Sequence, residues 1–147
     1  MRIIALLFAG LVALAACAPS EPQLGADGQP LPKLYRIGNL DTSKIQFRVL
    51  DSVNALRQAA GAPPVALDSK LNAAAATQSR DMSVQNRPWH FGTDGSSPIE
   101  RVQRVGYPGR LTGENISETY ETEVQTLAAW MEQPDTRAVI LNPEARN

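Results

Sequence analysis

The stretch Ala18-Pro19-Ser20-Glu21-Pro22-Gln23-Leu24-Gly25-Ala26-Asp27-Gly28-Gln29-Pro30-Leu31-Pro32 cannot bury a core, and it divides this chain of 147 residues into parts of different kinds. Its prolines make it a semi-extended tether, whose coil and extended limits are on the order of 20 to 50 Å. From about Lys33 onward roughly 115 residues remain, enough for one small domain with a single core. No internal repeat and no phosphate-binding glycine loop is visible in them.

The part ahead of the tether sets the compartment. Met1-Arg2 is a short positive region, and Ile3 to Ala16 is an apolar run without a charge. A membrane-spanning helix needs about 20 such residues, so the run reads as an export signal. Leu14-Ala15-Ala16-Cys17 resembles a bacterial lipobox, in which the cysteine is diacylated and becomes the new amino terminus. Cys17 is the single cysteine, and a lone exported thiol has no intramolecular partner. Two or three acyl chains, palmitate among them, make a stable membrane anchor, since each buried methylene contributes about 0.8 kcal/mol. The alternative is an ordinary secretory signal with an Ala-x-Ala-like site and an incidental cysteine. Ala18, rather than an aspartate, points to the outer membrane if the host is Gram-negative. The expected organisation is a lipoprotein signal peptide over 1–16, a lipidated cysteine and tether over 17–40, and a folded domain over 41–147 in the cell envelope.

Four helices are expected in that domain. Asp41-Thr42-Ser43 offers caps, and Ile45, Val49, Val53 and Leu56 recur at helical spacing until Gly61, a C-terminal stop. Pro63-Pro64 enforces a break. Asp68 is a good N-cap for a second helix carrying Leu71, Ala74, Ala75 and Met82 to about Asn86. Ser97-Pro98-Ile99-Glu100 is a capping box with proline at the first helical position, opening a short helix that closes at Gly106. A fourth helix presents Val124, Leu127, Ala128 and Met131, and Pro134 ends it. Between the third and fourth, β-branched Thr112 and Ile116 within Leu111 to Ser117 predict a short strand. Helices outnumber strands, and an α+β layer arrangement follows more naturally than a pure bundle. The formal net charge is −1, and neither a basic stripe nor zinc-finger spacing argues for a nucleic-acid partner.

The chemistry is limited by a count. His90, in Trp89-His90-Phe91-Gly92-Thr93-Asp94-Gly95, is the single histidine, so a site needing two imidazoles cannot be built within one copy of the chain. One imidazole working with carboxylates remains possible, and Gly113-Glu114-Asn115 follows about two dozen residues later. Asp94-Gly95 reads first as a turn. Trp89, Tyr107 and Trp130 read as packing residues.

Taken in order, these pieces resemble the CAP, or SCP-like, domain in its bacterial form, over about Phe47 to Asn142. Four landmarks carry the resemblance: Val53-Asn54-Ala55-Leu56-Arg57 before the Gly61-Ala62-Pro63-Pro64-Val65-Ala66-Leu67 turn; Met82 leading to His90; Asp94-Gly95-Ser96 with Arg101, Gly106 and Tyr107; and Gly113-Glu114-Asn115-Ile116. Trp130-Met131 then precedes Arg137-Ala138-Val139-Ile140-Leu141-Asn142, which looks like the family's second-histidine segment. The resemblance implies an α-β-α sandwich with a groove where histidine and glutamate side chains meet. It also exposes two departures. Gln133-Pro134-Asp135-Thr136-Arg137 stands where relatives usually show Ser-Pro-Gly-His-Arg, so Thr136 takes the second histidine's place. A hydroxyl is a poor zinc ligand with no pKa near neutrality, which argues against metal binding through the family's groove, and no cofactor is expected. Second, the chain stops at Asn147 where family members continue into further strands, so the domain is expected to be C-terminally shortened.

The groove candidates are therefore His90, Glu114 and Thr136, with Arg101 and Asn115 in support. Three readings follow. One is a lipid-anchored ligand-binding module for a lipid, glycan or peptide, another a peptidase- or esterase-like hydrolase with His90 as general base. The third is a degenerate scaffold without a retained site. For the hydrolase, Thr93, Ser96, Ser97 and Thr136 are the available hydroxyls, and none sits in a recognised nucleophile elbow. In the bland reading Glu114 merely accepts hydrogen bonds from backbone or Arg101, and His90 caps the second helix.

Overall fold

The computed structural model describes residues 24–26, 28, 30, 36–38 and 41–147. The expected signal peptide, Cys17 and most of the tether lie outside the described residues. The chain divides into two compact units, Met1–Leu31 and Pro32–Asn147. In the first, an isolated antiparallel bridge joins Leu24 and Pro30. In the second, the described residues form α1 (Thr42–Ala59), α2 (Ser69–Gln85), α3 (Pro98–Arg104), α4 (Glu123–Glu132) and α5 (Pro134–Ile140). None of these is long and apolar enough to cross a membrane.

Local chemistry explains most of the boundaries. The Asp68 carboxylate accepts the Lys70 and Leu71 N–H groups at 2.8 and 3.0 Å, satisfying donors that the first turn of α2 leaves unpaired. Its other end is closed by Asn86 in the left-handed region at φ 48°. Ser97 and Glu100 form the complete reciprocal capping box of α3. Asp41 departs from expectation, because its carboxylate accepts the Gly38 N–H at 2.9 Å instead of capping α1.

Pro134 does more than end α4. It holds Gln133 extended and then stands in the first turn of α5, a fifth helix that the apolar periodicity did not reveal. The expected strand over Leu111 to Ser117 is likewise corrected: the segment is not assigned as a strand. Pairing needs a neighbour's backbone groups in register, and the described residues of this unit supply none.

That segment is nevertheless the middle layer. α1 packs on α4, α4 on α5, and α2 on α3. Between these groups the 113–116 backbone faces both ways, as alternation along an extended chain requires. Asn115 donates to the Thr136 carbonyl in α5 at 2.9 Å, and the Trp130 indole in α4 donates to the Ile116 carbonyl at 3.2 Å. Glu114 instead meets Arg101 in α3. Gly113 must be glycine for lack of room, since a Cβ there would lie 2.8 Å from both methyl carbons of Val139.

The interior is unusually polar. Ala74, Val102 and Leu127 are buried beside Arg57, Gln78, Ser96, Arg101 and Thr122. Arg57, 1% exposed, has carbonyls as its hydrogen-bond partners: Pro63 at 2.7 Å, Ile140 at 2.6 Å, Asn142 at 3.1 Å and Ala145 at 3.3 Å. Burial lowers its pKa, and Arg146 adds a like-charge contribution. Asn54, one turn earlier, exchanges two hydrogen bonds with the Val65 backbone at 3.0 and 2.8 Å. The Asn54 and Arg57 of the sequence landmark therefore clamp the turn that follows them. Gly61, at φ 72°, supplies the left-handed residue that lets the chain reverse there.

Candidate functional site

α3 is short, and its capping box fixes its entry so that Arg101 points inward. The guanidinium, whose side chain is 3% exposed, donates from Nη2 to both oxygens of Glu114, at 2.7 Å to Oε2 and 3.0 Å to Oε1. It also reaches the His90 carbonyl from Nη1 and Nη2 at 3.3 and 3.4 Å. One buried cation thus holds both the carboxylate and the backbone that carries the imidazole. His90 Nδ1 lies 2.8 Å from Glu114 Oε1. A carboxylate held by an arginine is an acceptor only, so Nδ1 carries the proton of this contact, and the neutral form of the ring in this contact has its lone pair on Nε2. The His90 side chain is 45% exposed.

The loop bearing His90 is gripped from α2 as well. Gln78 Nε2 donates to the Trp89 carbonyl at 2.6 Å and more weakly to that of Phe91 at 3.5 Å. Gln85 Nε2 reaches the Phe91 carbonyl at 3.2 Å, and its Oε1 accepts the Trp89 indole N–H at 2.8 Å. Trp89 also stacks under the Arg87 guanidinium, 3.8 Å away, and against Phe91, with centroids 5.4 Å apart. Sequence reasoning missed Gln78, although one signal was available. It interrupts the apolar stripe of Leu71, Ala74 and Met82 with an amide. Among the described residues, two buried side-chain atoms have no partner, Gln78 Oε1 and Arg101 Nε.

His90 Nδ1 faces Glu114 rather than the end of α2, where the Met82 and Ser83 carbonyls accept from the Arg87 and Asn86 N–H groups. Thr136 is not brought to His90 or Glu114 by any hydrogen bond. Its hydroxyl donates to the Trp130 carbonyl at 2.6 Å and the Gln133 carbonyl at 3.3 Å. The remaining hydroxyls are engaged elsewhere too. Thr93 Oγ1 bonds Asp81, Ser97 Oγ bonds Glu100, and Ser96 Oγ bonds Asp94. The Ser96 contacts, with Arg104 behind them, hold the Asp94 carboxyl well below the usual range, in a loop turned by Gly95 at φ 78°.

Two clefts flank the Glu114 segment. One, of about 380 Å³, is walled by Met82, Ile116, Tyr120 and Trp130 and carries Gln78 and Asn115. The other, of about 360 Å³, is lined by Leu71, Val102, Tyr107 and Arg146 among others. Glu114 borders both, whereas His90 and Thr136 line neither. Among the described residues no three histidine, cysteine, aspartate or glutamate side chains gather in a way that could hold a metal ion.

The comparison with protein families decides what this arrangement belongs to. Residues 50–147 match the family described as CAP, the cysteine-rich secretory protein family. The chain belongs to the CAP family. It is 32% identical over 101 residues to the uncharacterized protein YkwD of Bacillus subtilis (strain 168), an alignment covering 69% of this chain and 39% of that protein. Among solved structures it is similar to an extracellular SCP-domain protein of Bacillus anthracis str. Ames, with a TM-score of 0.66 and 24% identity over 76% of this chain and 40% of that one. An outer surface protein of Borrelia burgdorferi gives a TM-score of 0.64 at 16% identity, over 76% and 80% of the two chains. These structures show the fold to be that of an SCP domain, the α+β class expected from the residues. The chain spans about two fifths of the length of the two Bacillus proteins.

Proposed function

We propose that this CAP domain is a ligand-binding module of the bacterial cell envelope, with His90 as its recognition group and Glu114 and Arg101 as the support that fixes it. The observation that carries the reading is the contact between Nδ1 and a carboxylate that is itself held by a buried guanidinium. An imidazole so fixed offers Nε2 as an acceptor, which suits a hydroxyl or amide donor of a glycan, peptide or lipid headgroup. Export and anchoring through Cys17 are part of the proposal. They draw support from the lipobox-like sequence and from relatives described as extracellular or outer-surface proteins.

The test is titration of the ¹⁵N-labelled domain with panels of glycan, peptide and lipid fragments. Saturable shifts at His90 and Glu114, lost in His90→Ala, are the expected result, and no shift at either residue across all panels sinks the reading. For the anchor, metabolic labelling with a palmitate analogue should be lost in Cys17→Ser.

A second reading has one observation in its favour. The same tautomer is the one a general base uses. Because the nearby hydroxyls serve other partners, water is the nucleophile this site would activate. Absence of turnover against peptide and ester panels, with no change in His90→Ala, removes it.

A further inference from the structure

The buried amide of Gln78 is costly where it stands. It is 2% exposed and leaves Oε1 without a partner, on a helix stripe where an aliphatic side chain would bury without that penalty. Its other end explains its presence. Nε2 meets the Trp89 carbonyl at 2.6 Å, and Trp89 immediately precedes the histidine. The amide orientation follows from its partners, because only the NH₂ group can donate to carbonyls.

Three consecutive carbonyls are thereby held from two sides. Gln78 and Gln85 in α2 hold those of Trp89 and Phe91, while Arg101 in α3 holds that of His90. A loop is soft when its backbone groups face only water, and this one is fixed at every peptide that could swing the imidazole. Gln85 cannot substitute for Gln78, since it reaches the Phe91 carbonyl and leaves that of Trp89 to Gln78 alone among the described residues.

We infer that Gln78 is a positioning residue for His90: by holding the Trp89 carbonyl it keeps the imidazole on Glu114 and so fixes which ring nitrogen faces the ligand. The inference rests on the proposed role of His90. Gln78 acts through the loop and need not touch the ligand.

The single histidine makes the test direct, since a long-range ¹H–¹⁵N spectrum of histidine-labelled protein contains one imidazole. Wild type is expected to show the Nδ1–H form of the neutral ring. In Gln78→Met, similar in length, the ratio of Nδ1–H to Nε2–H should fall by about fivefold, which is what one hydrogen bond of ordinary net strength converts to. Leu127→Ala, which opens a buried site on α4, should lower the melting temperature and leave the ratio unchanged. A folded Gln78→Met protein with the wild-type ratio overturns the inference. Should that variant fail to fold, a scalar coupling across the Gln78 Nε2–H to Trp89 carbonyl bond in wild type replaces it, and its absence is equally fatal. The two ideas separate cleanly. If Glu114→Gln shifts the ratio and Gln78→Met does not, the role of Gln78 alone fails. If wild type already shows the Nε2–H form, the reading of His90 fails with it.

Discussion

Replacing Arg101 with methionine removes the guanidinium paired with Glu114, and its cost can be worked from the structure. The Arg101 side chain is 3% exposed and that of Glu114 20%, so the pair is closer to a buried than to a surface ion pair. Breaking a buried pair from one side typically costs about 3–5 kcal/mol, because the partner charge is left uncompensated. Glu114 keeps some access to water and keeps His90, which sets the expectation at the low end, about 3 kcal/mol. A domain of this size loses roughly 4 °C per kcal/mol, so the melting temperature should fall by about 12 °C. Urea unfolding followed by circular dichroism measures this, and the loss should persist at high salt, since a buried pair is little screened. The double variant Arg101→Met with Glu114→Leu should be more stable than Arg101→Met alone, because no stranded charge remains. A loss below about 1 kcal/mol, the range of exposed pairs, would refute the reasoning. So would a double variant that is additively worse.

Other perturbations probe the frame. Arg57→Met should cost more than about 3 kcal/mol, since it strands several carbonyls in the interior at once, and chemical denaturation should show it. Ser97→Ala removes the cap of the helix that carries Arg101 and should cost about 1 kcal/mol in the same assay. Acid should destabilise the fold. Hydrogen bonds from Gly38 lower the pKa of Asp41, those from Ser96 that of Asp94, and those from Ser97 that of Glu100. A carboxyl depressed on folding contributes stability that is full above its unfolded pKa, about 4, and is lost as pH falls toward the folded value. The melting temperature should therefore decline below about pH 4, and Asp94→Asn should flatten the decline.

The sequence revealed what depends on neighbours along the chain. Asp68 before α2 and Ser97-Pro98-Ile99-Glu100 before α3 announced their helices, because a cap is local chemistry. The ordered landmarks from Asn54 to Asn115 were enough to place the fold. Local reasoning failed where a residue had two roles open to it, or needed a partner from elsewhere in the chain. Asp41 looked like a cap and serves Gly38 instead. Pro134 was read as an end and is also a beginning, since proline closes one helix and suits the first turn of the next. Thr112 and Ile116 have strand propensity, but propensity does not supply a partner strand.

The site divides in the same way. His90, Glu114 and Arg101 were named from motifs, and the structure joins them through one carboxylate and one guanidinium. Thr136 was named by correspondence with a histidine in relatives, and its hydroxyl turns to backbone carbonyls. Gln78 was invisible to a reading that looked for ionisable groups. Its work is done on the backbone next to the histidine, and only the interruption of the α2 stripe hinted at it.

The central claim is that Glu114, held by Arg101, fixes His90 with its proton on Nδ1 and its lone pair on Nε2. The most direct measurement is the imidazole ¹⁵N pattern of wild type at a pH where the ring is neutral, beside that of Glu114→Gln. The expected result is a dominant Nδ1–H form in wild type that is lost in the variant. An Nε2–H form in wild type, or an identical pattern in both proteins, would contradict it.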